Sequence, residues 1–248
     1  MRASERLLLL AHPRSGSSNL YEILQMQPEL RICNEPFNEN RACWAPDNKD
    51  YRKLVHDWTS LEAVLEEIFT EFNGLKLQSY QLPQDWVRRL TDRPDFRVVF
   101  VRRRNILQAV ISNLIAEQTG LWHRWDTNRP LDTYYAELRP LDIAEVRTRV
   151  AGLAQHLGLL ETMIEGRTGR RIHRIVYEEL FFAEPAPQAR AVKALWEFLG
   201  LDPITSDQID YFLRPERSKL NSTAMYRLLP NADEVEDECG GDTTGHLF

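Results

Sequence analysis

The residues that can bind an anion stand near the start of the chain, in the segment HPRSGSSNL at positions 12–20. The segment follows the apolar run RLLLLA and precedes a helical pattern, so free backbone N–H groups and a helix N-terminus point at one place. Gly16 permits close approach of a phosphate to the backbone, and Arg14 can hydrogen-bond a phosphate through two N–H groups. The predicted anion-binding residues are Arg14, Ser15, Gly16, Ser17, Ser18 and Asn19. The alternative is an ordinary strand-to-helix turn capped by a serine.

A second basic group ends the apolar run RVVFV, as Arg102, Arg103 and Arg104. Arg104 lies just before a helical pattern and Ser112 two turns inside it, so both can reach one anion. Arginines at a strand end suit a bare phosphate, whereas a triphosphate with magnesium requires an acidic residue there. The alternative is a surface arginine cluster at a helix entry. Together the two groups predict a nucleotide with phosphates at both ends of its ribose.

The first loop differs from a Walker A loop, which has the pattern GxxxxGK[ST]. Ala11 stands where the first glycine of that pattern would be, and Ser17 stands where its lysine would be. The lysine of a Walker A loop contacts the β- and γ-phosphates. Hydrolysis of ATP is therefore not expected.

Two residues are candidates for the chemistry beside these loops. Glu35 lies in RICNEPFNEN, where Pro36 favours an extended backbone at Glu35, and a carboxylate there can act as a general base. Lys76 lies in a predicted strand, where a charge is costly unless it is paired or faces a site. Glu39 and His56 compete with Glu35 for the role of base, and a structural pairing of Glu35 with an arginine is the other interpretation.

Aromatic residues cluster in GLWHRWDTNRP, residues 120–130. Trp122 and Trp125, with His123 and Arg124 between them, can stack on a sugar or an aromatic acceptor. They can equally pack beneath a loop, and both interpretations stay open.

The elements that must position these residues alternate between strands and helices. Apolar runs predict four buried strands, at residues 6–11, 75–79, 96–101 and 172–177, and residues 30–33 give a weaker fifth. Amphipathic stripes between them predict helices, one of which begins with a capping box at Thr59 and Glu62. This alternation predicts a single-domain α/β fold with a central parallel sheet flanked by helices, of the P-loop nucleotide-binding type.

Composition supports a globular enzyme-sized domain. Of the 248 residues 43% are hydrophobic and 27% charged, which excludes wholesale disorder, and a net charge of −6 argues against a nucleic-acid partner. The three cysteines form no CxxC pair, so no metal site is expected and a cytoplasmic location is predicted. The early apolar run is too short for a membrane span or a signal peptide.

The end of the chain changes character after residue 230. Residues 231–248 combine an acidic stretch with glycines, whereas residues 1–230 form the predicted domain. We expect a mobile, solvated tail, with a lid over a site as the alternative.

Three motifs in this order resemble the sulfotransferase family that uses 3′-phosphoadenosine 5′-phosphosulfate. The segment HPRSGSSNL resembles its 5′-phosphosulfate loop, in the arginine form common in bacterial and carbohydrate members. The segment VRRRNILQAVIS resembles its 3′-phosphate segment, and RIVYEELFFAEPAPQARAVKALWEFLGL resembles a third family segment. The resemblance spans residues 6–201.

The resemblance implies roles for individual residues. Arg104 and Ser112 would hold the 3′-phosphate, although Ile106 replaces a family proline and Arg103 is therefore the alternative. Tyr177 would lie near the nucleotide. Cytosolic relatives carry a histidine as base where this chain has Gln78, whereas bacterial and carbohydrate members are similar in having a glutamate before Pro-Phe.

The implied activity is metal-free transfer of a sulfuryl group to a hydroxyl of a carbohydrate or small molecule, leaving adenosine 3′,5′-bisphosphate. Glu35, Arg14 and Lys76 are the predicted catalytic residues. The alternatives are a P-loop nucleotide kinase or phosphotransferase, and a nucleotide-binding module without catalysis.

Overall fold

A parallel sheet forms the centre of the computed structural model, which describes residues 5–39, 49–122, 130–165, 172–204, 207–214 and 223–248. Its strands are β1 (Arg6–Ala11), β2 (Ile32–Asn34), β3 (Gly74–Gln78), β4 (Phe96–Arg102) and β5 (Ile172–Val176). They pair in the order β2-β3-β1-β4-β5, and every pair is parallel. The predicted α/β architecture is confirmed.

Helices cover both faces of the sheet. They are α1 (Ser17–Gln25), α2 (Trp58–Glu71), α3 (Gln84–Asp92), α4 (Ile106–Thr119), α5 (Leu131–Tyr135), α6 (Ile143–Glu165), α7 (Tyr177–Phe181), α8 (Pro185–Leu199), α9 (Asp207–Leu213), α10 (Thr223–Tyr226) and α11 (Ala232–Cys239). A short 3₁₀ helix spans Tyr51–Leu54.

The position of β1 in the middle of the sheet explains why residues 7–11 are all apolar. Leu7 and Leu9 pack with α1 and α8 on one face, whereas Leu8 and Leu10 pack with α2 and α3 on the other. All four side chains are fully buried. A strand covered on both faces needs no polar alternation, so the continuous run was a reliable strand signal.

The strand boundaries differ from the predicted ones by up to two residues, and two differences in the predicted ends of elements are informative. The N-cap of α2 is Asp57, whose side chain accepts a hydrogen bond from the Ser60 backbone, so Thr59 and Glu62 do not form the capping box. Strand β5 ends at Val176, and Tyr177 begins α7. The side chain of Tyr177 is therefore placed by a helical turn at the end of the sheet.

Residues 231–248 are packed, in contrast to the mobile tail that their composition predicts. Helix α11 buries Val235, and the fully buried Leu247 joins the same apolar cluster as α4 and α6. The Leu107 backbone N–H donates to the Thr244 carbonyl (2.9 Å), and the Asn105 side chain donates to the His246 carbonyl (2.6 Å). The segment thus caps the N-terminus of α4, because apolar residues spaced among the acidic ones give it a buried face.

None of the helices in the described ranges is both long enough and apolar enough to cross a membrane.

Candidate active site

The loop after β1 requires an unusual backbone. Arg14 has a φ of 60° and Gly16 a φ of 82°, both in the left-handed region. A Cβ atom at Gly16 would lie 2.6 Å from the Tyr177 ring and 2.8 Å from the Phe181 ring. Glycine is therefore needed here on two grounds, and the loop rests directly on the aromatic residues of α7.

His12 ties this loop to the end of β4. Its Nδ1 lies 2.8 Å from the Pro13 carbonyl, and its Nε2 accepts a hydrogen bond from the Arg103 backbone N–H (3.0 Å). An accepting Nε2 requires the neutral ring with its proton on Nδ1. Burial, with the positive charge of Arg103 nearby, lowers the pKa of His12 to about 3. His12 is a neutral structural link between the two predicted anion sites.

Arg14 connects the first predicted anion site to the second. Its Nε donates to the Ser112 hydroxyl (2.9 Å), and its Nη1 donates to the Trp122 carbonyl (2.9 Å). Ser112 is buried on α4, whereas the Trp122 side chain is 43% exposed. The structure thus brings Arg14 and Ser112 together, as the two sequence motifs require if one ligand spans both.

Arg103 lies against the same loop. Its Nη1 donates to the Arg14 carbonyl (3.2 Å), its Nη2 donates to the Gln108 side chain (2.5 Å), and its guanidinium lies 4.5 Å from the centre of the Tyr177 ring. Only 5% of the residue is exposed. Its Nε is buried without a hydrogen-bond partner in the described part of the chain.

Arg14 and Arg103 form a group that we call the arginine cluster. Within the described ranges neither side chain pairs with a carboxylate, although Arg103 lies within electrostatic range of Glu178. Burial raises the pKa of Tyr135 and of Tyr177 to about 12, so these neighbouring phenols are neutral. Cations without a counter-ion are costly away from water, and this arrangement favours binding of an anion.

Arg104 points elsewhere. Its guanidinium pairs with Glu179 at the surface, where the two side chains are 54% and 59% exposed. The backbone N–H groups of Arg104 and Asn105 donate to the Glu178 carboxylate, each at 3.0 Å. No described contact joins Arg104 to Ser112. Glu178, which sequence analysis missed, accepts the hydrogen bonds of the N–H groups at the start of α4.

Glu35 and Lys76 form a buried ion pair at the other side of the loop. Lys76 Nζ lies 2.9 Å from Glu35 Oε1, and the two side chains are 1% and 12% exposed. The Glu35 backbone N–H donates to the Lys76 carbonyl (3.0 Å), which extends the pairing of β2 with β3 by one residue. The structure therefore places two predicted catalytic residues in direct contact.

The backbone of Glu35 is not extended, contrary to the expectation from Pro36. Its φ is 48°, in the left-handed region. The Asn38 backbone N–H donates to the Glu35 carbonyl (3.0 Å), which closes a turn immediately after β2. This turn points the carboxylate back toward Lys76.

Side-chain amides complete the surroundings of the Glu35 carboxylate. Asn38 donates to Oε2 (2.9 Å), Gln78 donates to Oε1 (3.1 Å) and Gln81 donates to Oε2 (3.1 Å). Burial by itself raises the pKa of Glu35, but Lys76 and these hydrogen bonds more than offset it, and the pKa falls to about 2. Glu35 is ionised at neutral pH. Asn38 and Gln81 were missed by sequence analysis, and their spacing of three residues from Glu35 and Gln78 is the only signal for them.

The same β3 side chains contact the loop. Lys76 Nζ lies 3.3 Å from the Ser18 hydroxyl, and the Gln78 amide donates to the Ser17 hydroxyl (3.2 Å). Ser17 and Ser18 open α1, so the carboxylate, the lysine and the predicted anion loop meet at one edge of the sheet.

Other predicted residues have structural partners. The Ser15 hydroxyl donates to the His12 carbonyl (2.7 Å), and Asn19 donates to the Phe212 carbonyl (3.0 Å). Glu39 pairs with Arg52 at the surface. The His56 backbone N–H donates to Ser60, and no contact with the ion pair is described for its ring. Residues 123, 124 and 125 of the aromatic segment lie outside the described residues.

Comparisons with solved structures identify the fold as that of sulfotransferases. Sulfotransferase STF9 from Mycobacterium avium superimposes with a TM-score of 0.50 at 13% sequence identity, covering 98% of this chain and 78% of that one. Mouse sulfotransferase SULT7A1 complexed with PAP gives 0.46 at 14% identity, covering 91% of this chain. This chain spans 66% of the mouse protein's length. No model of a protein family and no curated protein sequence matches the chain.

Proposed function

We propose that the protein is a sulfotransferase that moves the sulfuryl group of 3′-phosphoadenosine 5′-phosphosulfate to a hydroxyl of a carbohydrate or small molecule. The observation that carries the proposal is the meeting of the buried Glu35–Lys76 pair with the serines of the anion loop. In-line transfer to an alcohol requires a base and stabilisation of negative charge, and a carboxylate beside a cation and hydroxyl groups can supply both.

Each residue then has a defined task. Glu35 accepts the proton of the acceptor hydroxyl, Lys76 contacts the sulfuryl oxygens, and Arg14 with the loop stabilises the departing phosphate. The acceptor oxygen forms the new bond to sulfur while the bond from sulfur to the bridging oxygen breaks, and that oxygen keeps the electron pair. Arg14 and Lys76 supply the positive charge, so the proposed reaction includes no metal.

The arginine cluster supports a second phosphate site at the other end of the ligand. Buried Arg103 has an Nε without a partner in the described chain, and Arg14 contacts Ser112, the serine that the sequence motif assigns to the 3′-phosphate. Arg104 would have to leave Glu179 to reach the same phosphate. We therefore propose Arg103, with Ser112, as ligand of the 3′-phosphate, and Arg104 as the alternative. Tyr177, beneath the Arg103 guanidinium, is proposed to lie beside the nucleotide.

Ligand-induced stabilisation tests the proposal, because a ligand that binds only the native state raises the melting temperature. Adenosine 3′,5′-bisphosphate should raise the melting temperature more than adenosine 5′-monophosphate or ATP with magnesium at equal concentration. The matched control is the monophosphate, which lacks only the 3′-phosphate. Equal shifts from the bisphosphate and ATP with magnesium would favour the nucleotide kinase.

Transfer of labelled sulfate from 3′-phosphoadenosine 5′-phosphosulfate to a panel of sugars, phenols and aliphatic alcohols tests the catalytic part. A sulfated product that disappears in Glu35→Gln is the expected result. Tight binding of the bisphosphate with no transfer to any acceptor would favour the nucleotide-binding module.

A further inference from the structure

Lys76 lies between two places that can use its charge. Its Nζ is 2.9 Å from Glu35 Oε1 on one side and 3.3 Å from the Ser18 hydroxyl on the other. Tyr21 of α1 lies beside the ammonium, with its ring centre 5.5 Å from Nζ. The ammonium is therefore at the junction of the carboxylate and the anion loop, and at 1% exposure it has no access to bulk water.

The charges that face this pair are few among the described residues. Glu22 of α1 lies within electrostatic range of Lys76: burial raises the pKa of Glu22, and Lys76 partly offsets this. Tyr80 and Glu39 lie on the Glu35 side of the pair. Burial and the negative charges of Glu35 and Glu39 raise the pKa of the Tyr80 phenol. Lys76 therefore interacts electrostatically with two carboxylates, Glu35 and Glu22. An anion bound at Ser18 would compete with Glu35 for the ammonium group.

Three side-chain amides would hold Glu35 in place if an anion drew Lys76 away from it. Asn38, Gln78 and Gln81 hold both oxygens of Glu35 independently of the lysine. These amides carry no charge, so they fix the position of the carboxylate and still leave it a proton acceptor. Gln78 also contacts Ser17, which ties the carboxylate to the loop that receives the anion.

We propose, on the basis of the sulfotransferase function above, that Lys76 is shared between Glu35 and the sulfuryl group. In the free enzyme the ammonium pairs with Glu35, and when the sulfuryl oxygens lie beside Ser18 it turns to them. Glu35 then loses its counter-ion and becomes a stronger base only when the electrophile is present. Lys76 is thus a positioning residue for the base as well as a contact for the sulfuryl group.

The carboxyl resonance of Glu35, followed by NMR in protein labelled with ¹³C at glutamate carboxyl groups, tests this directly. The resonance is assigned by its absence in Glu35→Gln. Two ligands are compared: adenosine 3′,5′-bisphosphate, which has no sulfuryl group, and the unreactive analogue of the donor with a methylene bridge between phosphorus and sulfur. Loss of an adjacent opposite charge shifts a carboxyl pKa by about 1–3 units, so the analogue should raise the Glu35 pKa by that amount over the bisphosphate.

Equal Glu35 pKa values with the two ligands would overturn the sharing of Lys76. If both ligands bind and the values are equal, the proposed function survives and only this inference fails. If neither ligand stabilises the protein, the proposed function fails with it.

Lys76→Met supplies an independent check. This variant should raise the Glu35 pKa with either ligand and abolish the difference between them, whereas Lys193→Met, at an exposed lysine paired with Glu197, should leave the difference intact. A difference that persists in Lys76→Met would contradict the proposal. If Lys76→Met does not fold, the comparison of the two ligands on the unaltered protein decides the question.

Discussion

Two charged regions lie at the same edge of the sheet, and they differ in where their counter-ions come from. Lys76 finds its carboxylate inside the protein, in Glu35. The arginine cluster, Arg14 and Arg103, pairs with no carboxylate in the described part of the chain. The Glu35–Lys76 pair is charge-neutral without ligand and is suited to accepting a proton. The arginine cluster has its positive charge neutralised only when an anion binds.

Removing the base should produce the largest effect. Glu35→Gln keeps the size of the side chain but removes the proton acceptor, and loss of a general base costs about 10²- to 10⁴-fold in kcat. Affinity for the bisphosphate should change little, because this nucleotide has no sulfuryl group and Glu35 is proposed to face the acceptor. Steady-state kinetics and calorimetric titration with the bisphosphate separate the two effects.

Glu39→Gln is the matched control for that variant, since Glu39 is an exposed carboxylate paired with Arg52. It should keep near-normal turnover. A Glu35→Gln enzyme that turns over normally while Glu39→Gln does not would reverse the assignment of the base.

The arginine cluster should respond in affinity and not in proton transfer. A charge-assisted hydrogen bond contributes about 1.5–3 kcal/mol, so Arg103→Met should weaken binding of the 3′-phosphorylated nucleotide about 10- to 150-fold. Binding of the 3′-dephospho analogue should change far less. Titration calorimetry with both nucleotides measures the contrast, and equal losses would show that Arg103 is structural.

Acid should destabilise the two regions in different pH windows. The pKa of His12 is about 3 in the folded protein against 6.5 in the unfolded chain, so stability from its neutral ring is lost as pH falls from about 6.5 toward 3. At about pH 5 this loss amounts to about 2 kcal/mol. The contribution of Glu35, whose folded pKa is about 2 against 4.5, is lost only below about pH 4.5. Urea unfolding at several pH values measures both.

His12→Gln should remove much of the loss between about pH 6.5 and 5, because glutamine does not titrate. His173→Gln is the comparison variant: burial lowers the pKa of His173 as well, but less than that of His12, so this substitution should remove a smaller part of the loss. An unchanged pH dependence in His12→Gln would show that His12 is not held neutral.

The smallest effect is expected at Arg104. Its partner Glu179 is exposed, and such surface pairs contribute about 0–1 kcal/mol. Arg104→Met should therefore change stability and bisphosphate affinity only slightly. If Arg104 holds the 3′-phosphate, as the family resemblance implies, the order of the two effects is reversed. Arg104→Met then weakens bisphosphate binding more than Arg103→Met does. Measuring both variants side by side decides between the two arginines.

Much of the fold was predictable because the sheet is buried on both faces. Continuous apolar runs such as Leu7–Leu10 have few alternative structures, and the loop after β1 follows from its position before a helix. The two motifs were expected to lie near each other, since parallel strands end at one edge of the sheet, but the contact between Arg14 and Ser112 was not predicted.

The details that sequence reasoning did not provide depend on residues distant in the chain. Arg104 faces outward because Glu178 and Glu179, 74 and 75 residues later, meet it at the helix entry. The left-handed turn at Glu35 depends on Asn38 and on the pairing with Lys76, which propensity does not encode. Composition also misjudged residues 231–248, since a few buried apolar residues outweigh many exposed charges in deciding whether a segment packs.

The cap on α4 has a consequence for how the protein is made. Gln108, at the start of the helix that carries Ser112, donates to the carbonyl of His246, 138 residues later. At about 5–20 residues per second, a ribosome needs roughly 7–28 seconds to synthesise that stretch. During this interval the nascent chain holds the start of α4 but not the segment that caps it. A chaperone that shields exposed backbone and apolar surface should therefore associate with the nascent chain chiefly during this interval.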